Sequence, residues 1–159
     1  MKIITIITFL VALLFLSCQK EKIDNESMFK ILRTAIDTSL RIDPSLNEGD
    51  TLFIEFSKRF VINDSVNKSL INYLNNKGEF KIVLSDLESV LETDPLSPYH
   101  PNLRNFCITV LDVKYKTRNT IAVSTRKYKG MLAADIIQTI FKFEKRNWIC
   151  IESRIISAS

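Results

Sequence analysis

The chain is poor in the residues from which most chemical signatures are made. Of its 159 residues one is His, one is Trp, three are Cys, three are Gly and four are Pro. The single histidine, His100, lies in a Pro-containing loop with no acidic or Cys residue at ligand spacing, which excludes the common zinc patterns and leaves metal ligation without a candidate. Three cysteines are too few for the disulfide framework of a small secreted scaffold. So little Gly and Pro, beside 46% hydrophobic and 25% charged residues, excludes collagenous and low-complexity chains and describes one globular domain.

What the sequence does contain begins with an apolar block. Met1 and Lys2 make a basic start, and Ile3 to Leu16 then carry only apolar side chains and two Thr. Fourteen helical residues span about 21 Å, short of the roughly 30 Å hydrocarbon core, so a cleaved signal fits better than a membrane span. The block ends in Phe15-Leu16-Ser17-Cys18. A small residue before a cysteine directly after an apolar run resembles the lipobox of bacterial lipoproteins, with Phe15 where that family usually has Leu. The resemblance implies lipidation of Cys18, cleavage before it, and a domain held to a bilayer by acyl chains at about 0.8 kcal/mol per buried methylene. Residues 1–17 are then a lipoprotein signal peptide, 18–26 the lipidated Cys and a polar tether, and 27–159 a single domain. Gln19 is not the Asp that favours inner-membrane retention in proteobacteria, and the charged residues after Cys18 resemble the export signal of Bacteroidota lipoproteins. The expected location is the outer membrane, facing periplasm or cell surface.

Within the domain, Met28, Ile31, Leu32, Ala35, Ile36 and Leu40 fall on one helical face, and the spacing predicts a helix over 28–41, capped by Ser27 and stopped at Asp43-Pro44. Leu52, Ile54 and Phe56 alternate as in a strand. Asn63-Asp64-Ser65 and Gly78 bracket a second helix near 64–76. Phe80 to Leu84 is a short apolar run, and Ser85-Asp86-Leu87-Glu88 matches a capping box for a short helix. From Arg104 the period becomes two, which predicts strands near 104–116, 120–129, 132–144 and 147–156, the third covered on both faces. The expected fold is α+β, with N-terminal helices packed on a curved antiparallel meander of four to five strands. Its element order is similar to the cystatin or NTF2-like cone.

Candidate chemistry is thin. Two Ser-x-x-Lys sequences, at Ser27 and Ser65, lack the companion motifs of penicillin-recognising enzymes, so both serines read as helix caps. Asp135 among apolar neighbours reads as a solvent-facing acid that Lys127 or Lys129 can pair across the turn, or as a pocket carboxylate if the fold is a cone. Cys107 and Cys150 stand on the first and last meander strands and read as a disulfide or as two separate buried thiols.

Charge is uneven. Residues 18–103 hold ten basic and fourteen acidic side chains, whereas 104–159 hold eleven and four. Lys114, Lys116, Arg118, Arg126, Lys127 and Lys129 fall on one hairpin, a candidate surface for an acidic envelope protein or an anionic glycan. Nucleic acid is no expected partner outside the cytoplasm, and nothing in the sequence asks for a cofactor. The reading is a noncatalytic, lipid-anchored binding module of the immunity, inhibitor or accessory-subunit type. The alternative is an NTF2-like ligand-binding or hydrolytic domain with an internal pocket, His100 and Asp135 being its first candidates.

Overall fold

A computed structural model describes residues 23–47, 49–58, 60–84, 105–129 and 133–158. Cys18, His100, the expected short helix after Ser85 and the 130–132 turn lie outside the described residues.

Helix α1 (Asn25–Arg41) is capped three residues earlier than the sequence suggested: the Asp24 carboxylate accepts from Ser27 N at 2.7 Å. An acid at this place complements both the open N–H groups and the helix dipole. After Pro44–Asn47 forms a single 3-10 turn, strand β1 (Thr51–Phe56) leads to helix α2 (Asp64–Lys77), capped by the Asn63 side chain and closed by Gly78 at φ 69°. Strand β2 is Lys81–Leu84, and the C-terminal half is four strands, β3 (Asn105–Thr117), β4 (Thr120–Lys129), β5 (Ala133–Glu144) and β6 (Asn147–Ala158).

The architecture is mixed α+β with one six-stranded sheet of order β2-β1-β3-β4-β5-β6. The four-stranded antiparallel meander is present as expected, but β1 pairs parallel with both β2 and β3, so the sheet is not the purely antiparallel one anticipated. Strand β1 enters between β2 and β3 because α2 carries the chain back over the sheet, the only kind of connection that can set β1 and β2 side by side in parallel.

Both helices feed one core on one face of this sheet. Ile31, Leu32, Ala35, Ile36 and Leu40 of α1 and Val66, Leu70 and Leu74 of α2 meet Leu52, Ile54, Phe106, Ile108, Val110, Ile121, Val123 and Phe141. Each fully buried aliphatic side chain contributes about 1.5–3 kcal/mol against conformational entropy. Strand β5 is second from the edge and buries Ile137 and Phe141 under α1, while Ile136 and Ile140 on its other face stay half-buried, so the expected double covering is only partial. The β5–β6 hairpin turns through Lys145 and Arg146 at φ 48° and 65°, a two-residue turn of the type I′ sense that usually recruits Asn-Gly.

Candidate functional site

The hairpin that carries the basic residues is β3–β4, and its period of two divides them. In β4, Ile121, Val123, Thr125 and Lys127 point to the helix-covered face, and Ala122, Ser124, Arg126 and Tyr128 to the other. Lys127 therefore does not belong to a surface patch, which corrects the reading of it as an exposed binding residue. It has 0% exposure. Lys114, Lys116, Arg118 and Arg126 remain exposed, with Lys114 Nζ paired to Asp112 Oδ2 on its own strand. The Lys129 side chain lies outside the described residues.

Buried Lys127 closes the C-terminus of α1. Its ammonium donates to the carbonyls of Ser39 at 3.0 Å, Ile42 at 2.6 Å and Asp43 at 2.7 Å. The Leu40 carbonyl is met by Asn47 Nδ2 at 2.6 Å. The last carbonyls of a helix lack intrahelical partners and carry the negative end of its dipole, so a cation from the sheet satisfies both needs at once. One turn earlier Ser39 Oγ bonds Ala35 O at 2.9 Å and meets Thr125 Oγ1 at 2.6 Å, fixing the same helix end to β4.

Two carboxylates flank this ammonium. Asp135 stands opposite Lys127 in the β4–β5 register and is 4% exposed, so it is not the solvent-facing acid the sequence suggested. Its Oδ2 is buried with no hydrogen-bond partner. Burial first, and the negative charge of Asp43 second, raise the Asp135 carboxyl above the usual carboxylate range. Asp43, at φ 46° just past the helix, is held low chiefly by the Ser45 hydroxyl. Burial pushes the Lys127 ammonium down to about 8, against the pull of Asp43 and Asp135. The assembly is a buried lysine clamp, and its first task is to hold α1 on the sheet.

A second polar cluster lies on the helix-free face. Thr109 Oγ1 donates to Glu55 Oε2 at 2.7 Å and stands 3.8 Å from Cys107 Sγ, and Tyr128 pairs with Cys107 in the register. Burial pushes the Cys107 thiol up to about 11 and raises the Tyr128 hydroxyl, so the thiol stays protonated and unreactive at neutral pH. Cys150 sits in β6 and is exposed, and both thiols are free. The expectation of a disulfide or of two buried thiols is thus replaced by one buried thiol and one accessible one.

Among the described residues, no group of three His, Cys, Asp or Glu side chains gathers as a metal site. No helix among them is long and apolar enough to cross a membrane.

No family model matches the chain, and no curated protein matches it. Among solved structures, it is similar to the crystal structure of a S-adenosylmethionine-dependent methyltransferase from Clostridium acetobutylicum at 8% identity, over 80% of this chain and 73% of that one, with a TM-score of 0.20. A likeness at that score bears on neither fold nor activity.

Proposed function

We propose that the chain is a bacterial envelope lipoprotein, anchored through Cys18, most naturally in the outer membrane, and working by noncatalytic binding of an acidic protein or anionic glycan. The observation that carries this reading is the division of the β3–β4 hairpin. Lys127 and Cys107, its groups with the most chemical potential, are committed to the interior, while Lys114, Lys116, Arg118 and Arg126 are presented to solvent. Cations on a rigid hairpin steer acidic partners and fix their orientation. An immunity, inhibitor or accessory-subunit role suits such a surface. The packing of α1 against the four-stranded meander supports a cystatin- or NTF2-like cone, with β1 and β2 added to the sheet in parallel.

Two variants test the proposal. Cys18→Ala abolishes incorporation of labelled fatty acid and leaves an uncleaved precursor of higher mass; a wild-type chain that takes up no label, or a variant processed like the wild type, refutes the anchor. Reversal of Lys114, Lys116, Arg118 and Arg126 to Glu abolishes salt-sensitive recovery of a crosslinked envelope partner, and undiminished recovery refutes the hairpin as the interface.

The alternative, an NTF2-like domain with a pocket, is favoured by one observation, the unpartnered buried Oδ2 of Asp135. A carboxyl raised by burial is what pocket chemistry recruits. Loss of small-ligand binding on Asp135→Asn at unchanged stability supports that reading.

A further inference from the structure

Among the described residues, strand β6 is the last in the sheet order and is paired on its β5 side alone. It runs for twelve residues, whereas β2, at the opposite edge, has four. Ile149, Ile151, Ile155 and Ile156 along it are 45%, 55%, 43% and 48% exposed. A long edge with such side chains is a template for another strand unless something blunts it. The register shifts opposite Ile136/Ile137 and Ile140/Phe141 place an extra residue at Ile156 and at Ile151, which interrupts open-ended pairing but leaves Glu152 to Ile155 straight.

We infer that β6 is a self-association edge, on which two copies of this chain pair antiparallel about a two-fold axis at Ser153 and join their sheets into one. The charges select this axis. Glu152 and Arg154 stand opposite Ile140 and Gln138 in the register, and so share the helix-free face, with Ser153 between them pointing the other way. They pair along their own strand, Arg154 Nε to Glu152 Oε1 at 3.5 Å, both largely exposed. In antiparallel pairing directly opposite residues lie on the same face, so a two-fold axis normal to the sheet must pass through a residue position. Centred on Glu152 or Arg154, it sets like charges directly opposite, which is destabilising. Centred on Ser153, within that straight stretch, it sets Glu152 of each copy against Arg154 of the other. No other centre in this stretch matches opposite charges. The occupant is therefore a second copy rather than an unrelated strand, because the strand is complementary to its own reverse. The interface is small, so association is weak, with a Kd on the order of micromolar.

The test uses the full chain in mild detergent, with mass in solution read across a concentration series. The wild type passes from monomer to dimer as concentration rises. Glu152→Lys and Arg154→Glu each oppose like charges twice across the axis, and each weakens dimerisation tenfold or more. Mixed in equal amounts, the two variants restore a heterodimer, since the cations of one copy then face only the anions of the other. Both substitutions are on exposed side chains, and the recovered mixture shows that neither variant has merely misfolded. On a Cys150→Ser background, Ser153→Cys gives a 153-to-153 disulfide under mild oxidation, identified by peptide mapping. The native Cys150 thiols do not link to each other, because six residue steps separate them across the axis, about 20 Å. A wild type that stays monomeric to its solubility limit, single variants that dimerise as well as the wild type, or a mixture that does not recover overturns the proposal.

Discussion

Replacing Lys127 by Met keeps the length and the apolar stem and removes the ammonium that meets the carbonyls of Ser39, Ile42 and Asp43. A buried acceptor left without a partner costs about 1–3 kcal/mol, and since Asp43 O keeps the Leu46 N–H at 3.3 Å, the two orphans at Ser39 and Ile42 set an upper bound near 6 kcal/mol. Two effects reduce that figure. The variant no longer desolvates an ammonium, a burden visible in the displacement of Lys127 to about 8, and the thioether packs in its place. Breaking one partner out of a buried ionic cluster costs about 3–5 kcal/mol, and the low end is expected here, about 3 kcal/mol. At a urea dependence of about 2 kcal/mol per molar, the midpoint falls by about 1.5 M with unchanged slope. Trp148 is a suitable reporter, being the single Trp of the chain and packed 5.2 Å from the Phe143 ring and 6.4 Å from Tyr115. Asp135→Asn in the Lys127→Met background recovers about 1–2 kcal/mol, because the carboxylate that lost its cation is gone, whereas in the wild type it changes stability by less than about 1 kcal/mol. A Lys127→Met loss under about 1 kcal/mol, or additivity of the two substitutions, refutes the clamp.

The same cluster sets a pH dependence: with Lys127 near 8 in the folded chain and near 10.4 unfolded, the unfolded chain binds more protons in that window, so stability rises with pH there by at most about 3 kcal/mol and the rise vanishes in Lys127→Met. Raised Asp135 acts in the opposite sense, losing stability as pH climbs through its folded value, so Asp135→Asn removes that loss and leaves a steeper acid limb, on which the lowered Asp24 and Asp43 lose stability as pH falls. Urea midpoints against pH check both. Lys145→Asn with Arg146→Gly relieves two left-handed non-glycine residues and stabilises the chain by about 1–2 kcal/mol, read as a higher midpoint. A thiol reagent at pH 8 labels Cys150 within minutes and Cys107 only under denaturant; labelling of both in the folded chain contradicts the buried, raised thiol.

Local elements were readable because each has its own period and punctuation. The meander strands were expected to within a few residues, since alternation and short turns are properties of adjacent residues. The place of β1 was not readable. Whether Thr51–Phe56 joins the sheet at its edge or enters between β2 and β3 depends on how α2 crosses and on pairings more than fifty residues apart in sequence. Lys127 was assigned to the surface because lysines usually are, although its alternation with Ile121, Val123 and Thr125 already placed it on the buried face. Asp135 carries the same overlooked signal through Ile137, Thr139 and Phe141. Nothing local announced that a helix ending at Asp43-Pro44 would need a cation from the far half of the chain.

That last dependence imposes an order in time. The carbonyls at the end of α1 are answered by a side chain 84 to 88 positions later, so a chain delivered amino end first exposes an unfinished helix until the β4 strand has followed it. Folding is thereby postponed until more than three quarters of the residues are through. If the chain is exported as proposed, that delay is an advantage during passage through the bilayer, because the contacts that complete α1 come only with the strand to which it is locked.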